Sequence, residues 1–220
     1  IYKNISKLPP ASILTLDCKS QKSIIEHYWS LEEHCIKSIY KPFQGDEIAA
    51  VNELEILLVN SIKDQMVADV PVGAFLSGGI DSSLVTTIMQ QNSSKSVKTF
   101  SIGFEDDNYN EAKYANEISK FLQTDHTEFY VHPKDALNII PKLPEIYDEP
   151  FADSSQIPTY LLSHLAQQQV KVVLTGDGGD ELFGGYNRHY WVKFIWNRVR
   201  FFPSFIRKLS SNMIGRTSIN

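Results

Sequence analysis

The chain has 220 residues, 42% of them apolar, and 26 acidic residues against 21 basic ones give a formal net charge of −5. That length can bury one core and a small appendage, and the acidic balance excludes a general nucleic-acid binder. Only two cysteines occur, Cys18 and Cys35, with no CxxC and no metal-ligand spacing, which suits a reducing compartment.

Residues 1–45 read as an irregular lead-in with Pro9-Pro10 and one apolar piece, Ile13-Leu14-Thr15-Leu16, that suits a strand or an extended linker. Beginning at Ile1, it reads as cut from something longer. Tyr28 and Trp29 are expected to pack against the next helix. From Asp46, apolar residues at Ile48, Val51, Leu54, Leu58, Ile62 and Met66 recur every three or four positions, which predicts a long helix behind an Asp cap with a core-facing stripe.

Next comes the most informative stretch. The apolar run Val72-Gly73-Ala74-Phe75-Leu76 predicts a strand covered on both faces, Ser77-Gly78-Gly79 a sharp turn, and Ile80-Asp81-Ser82-Ser83 the opening of a helix through Met89. Glycine tolerates positive φ and has no Cβ, so the turn presents bare backbone, and the N–H groups at a helix start attract an anion. Asp81 would repel a bare phosphate but suits Mg²⁺, which takes one or two carboxylates with phosphate oxygens. Taken alone, the loop also fits an ordinary strand–turn–helix with a capping Asp. The Gly-Lys-Ser/Thr ending of a Walker A loop is absent.

A second strand is predicted over residues 97–104, then a turn at Asp106-Asp107-Asn108. A helix from Asn110-Glu111 carries Tyr114, Ile118, Phe121 and Leu122 on one face. Thr124 to Val131 reads as a third strand, and residues 134–147 as helix interrupted by Pro141 and Pro144. The polar loop Asp148–Ser155 leads to a helix with Ile157, Tyr160, Leu161 and Leu165 on its stripe. The last strand, Val170–Thr175, runs into Gly176-Asp177-Gly178-Gly179-Asp180-Glu181-Leu182-Phe183-Gly184-Gly185-Tyr186. Strands alternating with helices predict an α/β fold, a doubly wound parallel sheet with helices on both faces. Ligands in such sheets lie beyond the carboxyl ends of the strands, where both glycine-and-acid loops fall. His126, His132, His164 and His189 show no partner pattern.

After Tyr186 the chain holds seven basic residues and no acid, leaving 14 basic residues against 26 acidic ones before it. Tyr190, Trp191, Phe194, Trp196, Phe201, Phe202 and Phe205 lie among those arginines, and are expected to pack on the core or on a remainder of the domain beyond this chain rather than on nucleic acid or membrane.

The loop Ser77–Ser83 resembles the pyrophosphate-binding loop of the PP-loop ATP pyrophosphatases. Together with Asp148–Tyr160 and Thr175–Tyr186 it resembles the synthetase domain of glutamine-hydrolysing asparagine synthetases, in matching order over residues 46–190. The resemblance implies an adenine nucleotide alpha hydrolase-like fold and an ATP-dependent ligase that makes L-asparagine from L-aspartate through β-aspartyl-AMP. It implies residues 1–45 as the end of a preceding glutaminase domain and 191–220 as a helical continuation. It places pyrophosphate on Ser77, Gly78, Gly79, Asp81 and Ser82, Mg²⁺ on Asp81 and Asp180, adenine near Phe75 and Ile102, and the α-phosphate or ribose near Thr175 and Gly176. Asp177 stands where better-known members carry Glu, and Glu181 and Asp153 are candidates for the ammonium group of aspartate. Implied partners are ATP, L-aspartate and ammonia from a glutaminase domain outside this chain, with a homodimer admitted, no nucleic acid and no membrane. A cytoplasmic setting is expected. A β-lactam synthetase, a peptide cyclase or a non-catalytic ATP-binding module share the same motifs.

Overall fold

The computed structural model describes residues 3–104, 110–147 and 153–208. The expected turn at Asp106-Asp107-Asn108, and Asp148 to Ala152 of the polar loop, lie outside these residues. The chain divides into two compact units, Ile1–Gln65 with Pro133–Ile157, and Met66–His132 with Pro158–Asn220.

In the first unit the lead-in is regular, not irregular. Strand β1 (Ser12–Asp17) pairs antiparallel with β2 (Lys22–His27), in a register from Ser12↔His27 to Asp17↔Lys22. The connection is fixed by Asp17, whose carboxylate accepts from the Lys19 N–H at 2.9 Å and from the Ser20 hydroxyl at 2.6 Å. Helix α1 (Leu31–Tyr40) follows behind Ser30, whose Oγ accepts from the Glu33 N–H at 3.3 Å. That Ser-x-x-Glu spacing is a helix-start signal, overlooked in the reading of residues 1–45 as irregular. Trp29 stacks on His34 of α1 with centroids 5.1 Å apart, while Tyr28 stays exposed.

Helix α2 (Glu47–Gln65) starts where expected, with the Ala49 N–H donating to Asp46 Oδ1 at 2.8 Å. Its stripe is core-facing only toward the end: Ile48 is 71% exposed and Val51 57%, whereas Leu58 is half-buried and Ile62 buried. Helical spacing marks which side chains share a face, not whether anything covers that face. The prolines at 141 and 144 do interrupt the later segment, which runs as α5 (Pro133–Ile139), a 3-10 turn (Ile140–Lys142) and α6 (Leu143–Ile146).

The second unit is built on a four-stranded parallel sheet of β3 (Val72–Phe75), β4 (Lys98–Phe104), β5 (Asp125–Val131) and β6 (Val172–Leu174), in the order β5-β4-β3-β6. Growth of the sheet runs from β3 outward to β5, then resumes on the other side of β3 with β6. The topological switch point therefore falls between β3 and β6, which pair from Val72↔Val172 to Ala74↔Leu174.

Side chains alternate across the strands. Phe100 of β4, fully buried, clusters with Leu162, Ala166 and Val170, and Phe75, Ile102, Phe129 and Val173 pack against the cluster. That covers one face with α7 (Gln156–Ala166). The opposite face carries Thr99, Ser101 and Gly103, the last so close to Ala112 of α4 (Ala112–Leu122) that an added Cβ would meet it at 3.1 Å. With α3 (Ile80–Gln91) on β3 as well, helices cover both faces, as a doubly wound sheet requires.

Two helix faces differ from expectation. On α4 the buried residues are Ala112, Ala115 and Ser119, whereas Tyr114 is 61% and Phe121 85% exposed. Close approach to the sheet leaves room only for small side chains, so the bulky residues turn outward. On α7 the buried pair is Leu162 and Ala166, with Ile157, Tyr160, Leu161 and Leu165 half-buried on its flanks. The aromatic helix α9 (Asn187–Val199), expected to pack on the core, has no buried residue. Its aromatics carry arginines instead, Arg198 lying 3.4 Å from the Phe194 centroid and Arg207 5.3 Å from that of Trp196.

Candidate active site

The two glycine-and-acid loops leave the carboxyl ends of β3 and β6, neighbours in the sheet, and meet. Gly176, just past β6, lies so close to the start of α3 that an added Cβ would stand 2.7 Å from the Ser82 backbone nitrogen and 2.9 Å from the Asp81 carbonyl carbon. A Cβ on Gly179 would stand 2.5 Å from Asp81 Cγ and 2.6 Å from its Oδ2. Asp81, half-buried in the first turn of α3, thus presses its carboxylate against the residue preceding Asp180. Asp180 opens the short helix α8 (Gly179–Phe183), and its own carboxylate lies against Gly185.

The first loop is held by its hydroxyls. Ser77 and Ser82 share a hydrogen bond of 3.0 Å between Oγ atoms, the Ser77 N–H donates to Ser82 Oγ at 3.2 Å, and the Gly79 N–H donates to Ser77 Oγ at 3.3 Å. Ser82 and Ser83 both donate to the Gly79 carbonyl, at 3.2 and 2.6 Å. Gly78 adopts φ +85° and is braced from outside by α4: its added Cβ would meet Tyr114 Cβ at 2.6 Å. Gly79 does not use positive φ as expected. It sits at φ −71° as the N-cap of α3 and gives that helix no capping side chain. The first-turn N–H groups are left without a side-chain acceptor, which is the condition for binding an anion.

Phe75 and Ile102 lie on adjacent strands and are half-buried against the Phe100 cluster. Thr175 accepts the Asp177 N–H on its hydroxyl at 3.3 Å, which turns the second loop. Asp177 is exposed at its crest. Among the described residues no group of three or more His, Cys, Asp or Glu side chains could hold a metal. The carboxylates of Asp81 and Asp180, one from each loop, are hard oxygen donors of the type a phosphate-bound divalent cation takes.

Glu181 accepts a hydrogen bond from the Tyr186 hydroxyl at 2.6 Å. That bond holds the Glu181 carboxyl below the usual carboxylate range and, in the same sense, pushes the Tyr186 phenol up. Arg188 lies 4.0 Å from the Tyr186 ring centroid. Tyr186 and Arg188 were not singled out from the sequence, although the Glu-x-x-Gly-Gly-Tyr spacing could have suggested the return of the chain. Asp153 belongs to the first unit, where its carboxylate accepts the Ser155 N–H at 2.8 Å and is held below its ordinary pKa by that bond. Among the described residues no helix is long and apolar enough to cross a membrane.

The asparagine synthase family model matches residues 53–218. A putative glutamine-hydrolysing asparagine synthetase 2 of Methanocaldococcus jannaschii is 40% identical over all of this chain and 41% of its own length. The glutamine-hydrolysing asparagine synthetase 1 of Bacillus subtilis is 40% identical over 69% of this chain and 24% of its own length. The chain therefore spans well under half of these curated relatives. Among solved structures, a glutamine-dependent NAD+ synthetase from Acinetobacter baumannii superposes at a TM-score of 0.47 and 19% identity, over 79% of this chain and 31% of that one, a likeness too loose to bear on function. With three quarters of its length inside the family match, this chain belongs to the asparagine synthase family.

Proposed function

We propose that this chain supplies the ATP-dependent half of a glutamine-hydrolysing asparagine synthetase, adenylating L-aspartate and forming L-asparagine, AMP and pyrophosphate in a cytoplasmic setting. The observation that carries this reading is the meeting of the two loops at the switch point between β3 and β6, with Asp81 wedged against Gly179. Family membership supports the choice of substrate.

In this reading Ser77, Gly78, Gly79 and Ser82 seat the β- and γ-phosphates through backbone N–H and hydroxyl donors, while Phe75 and Ile102 border the adenine. Thr175 and Gly176 lie beside the α-phosphate or ribose. Asp81 and Asp180 would hold Mg²⁺, which when bound neutralises charge on the phosphates. The aspartate side-chain carboxylate attacks the α-phosphorus and the bond to pyrophosphate breaks. Ammonia, delivered by a glutaminase domain outside this chain, then attacks the acyl carbon, AMP departs, and a proton is lost to a base for which Asp177 is the candidate. Glu181 receives the ammonium group of aspartate. The work is positioning and charge neutralisation, which needs no covalent nucleophile.

L-aspartate-dependent release of pyrophosphate from MgATP tests the reading. Asp81→Ala should abolish it and also remove the rise in melting temperature that MgATP produces by binding the folded state. MgATP binding without aspartate-dependent turnover in the unsubstituted protein would instead identify a nucleotide-binding module, and an unchanged MgATP shift in Asp81→Ala would end the metal assignment.

A further inference from the structure

Glu181 and Tyr186 are five residues apart, yet their side chains meet because the chain doubles back over α8. Gly184, at φ +70° and capping the helix, makes the reversal in a conformation a side chain would strain. Gly185 completes it: its N–H donates to the Asp180 carbonyl at 3.0 Å, and its missing Cβ leaves the space that the Asp180 carboxylate fills. The turn thus delivers the Tyr186 ring to the carboxylate of the helix just left, and the hydroxyl donates to Glu181 Oε1 at 2.6 Å. Arg188 caps the ring face at 4.0 Å and His189 meets its edge with centroids 5.8 Å apart. The phenol is therefore gripped on two sides and carries the carboxylate at its tip, whereas Glu181 itself is exposed.

We propose that Tyr186 is a positioning residue for Glu181, fixing that carboxylate by its hydroxyl while Arg188 and His189 fix the ring. The proposal rests on the assignment of Glu181 to the ammonium group of the acid substrate. A short bond from a neutral phenol keeps one oxygen of Glu181 occupied and presents the other, ionised, to an incoming cation. The Arg188 guanidinium places a fixed positive charge against the ring that carries this bond.

Tyr186→Phe keeps the ring and removes only the hydroxyl, and Glu181→Gln removes only the charge. In the protein that carries this chain, Tyr186→Phe should raise the KM for L-aspartate about fivefold, the scale of one ordinary hydrogen bond, and leave the KM for MgATP and the melting temperature unchanged. Glu181→Gln should itself raise the aspartate KM, and adding Tyr186→Phe to it should change nothing more, because the hydroxyl acts only through the carboxylate. Full additivity of the two substitutions, or an unaltered aspartate KM in Tyr186→Phe, would overturn the positioning role alone. A loss of both KM values together with a lower melting temperature would make the contact merely structural and also overturn it. If Glu181→Gln leaves the aspartate KM untouched, the assignment of Glu181 fails first and takes this inference with it.

Discussion

Gly176 sets the tightest constraint at the residue scale. Its missing side chain lets the loop after β6 close onto the backbone of Asp81 and Ser82, and any Cβ there would sit inside contact distance of main-chain atoms that cannot rotate away. Gly178, two residues on, has φ +89° and open space around it, so a Cβ there meets only backbone strain. Gly176→Ala should therefore cost about 1–3 kcal/mol, as overpacking does, and abolish the MgATP-induced melting shift, since it parts the two loops. Gly178→Ala should cost about 1–2 kcal/mol for the left-handed conformation and retain part of that shift. Melting curves of both variants with and without MgATP check this, and equal loss of the shift in both would show that loop contact is not what matters. The sequence could show that these glycines stand after a strand. It could not show which one needs φ and which needs space, because that depends on the neighbour, α3, reached 94 residues earlier in the chain from Gly176 to Ser82.

Elements impose a second kind of constraint, visible where β4 and β5 pair. His126 stands opposite Thr99 in the register, its Nδ1 2.8 Å from Thr99 Oγ1 and its Nε2 3.2 Å from Ser101 Oγ, on the sheet face that α4 covers. Burial pushes the His126 imidazole below its ordinary value, against the opposing pull of Glu128 and the bond to Thr99. With the folded pKa depressed, the unfolded chain binds more protons in the window between the two values. The contribution to stability is therefore complete above the ordinary value of 6.5 and is lost as pH falls through the lower, folded value. His126→Gln should flatten the fall in melting temperature from pH 7 to pH 5. A slope equal to that of the unsubstituted chain would show that other groups set the acid sensitivity. Element type was legible here: apolar runs marked β3, β4 and β6, Thr124–Val131 read as β5, and the Asp46 cap marked the start of α2. Burial was not. Helical spacing grouped Tyr114 with Phe121, but the sheet lies against Ala112 and Ala115, and only the distance between layers decides between a large and a small residue. Strand β2 also escaped notice, since Lys22-Ser23-Ile24-Ile25-Glu26-His27 neither alternates nor runs apolar, and it is held instead by the turn at Asp17.

At the scale of the whole molecule, strand order is what converts two separate motifs into one site. Composition and alternation of elements imply a parallel sheet, but they do not say that β6 returns beside β3, and that placement brings Asp81 to Gly179. The first unit poses the complementary question, because the apolar residues of its hairpin face outward. Leu14 and Ile25 are cross-strand partners on the β1–β2 hairpin and are each about half exposed, while Ile13, Leu16 and Ile24 are exposed as well. An apolar surface of this kind favours association or contact with another surface. This chain on its own should bind a hydrophobic dye and self-associate in sedimentation. Replacing the pair by Leu14→Lys with Ile25→Glu puts opposite charges across the same register, where such a pair contributes about 0.2–1 kcal/mol and so preserves the hairpin. The double variant should bind less dye and sediment as a smaller species at an unchanged melting temperature. A melting temperature that drops with dye binding unaltered would mean that these side chains are already covered, and that the outward face of the hairpin belongs to the fold rather than to a partner.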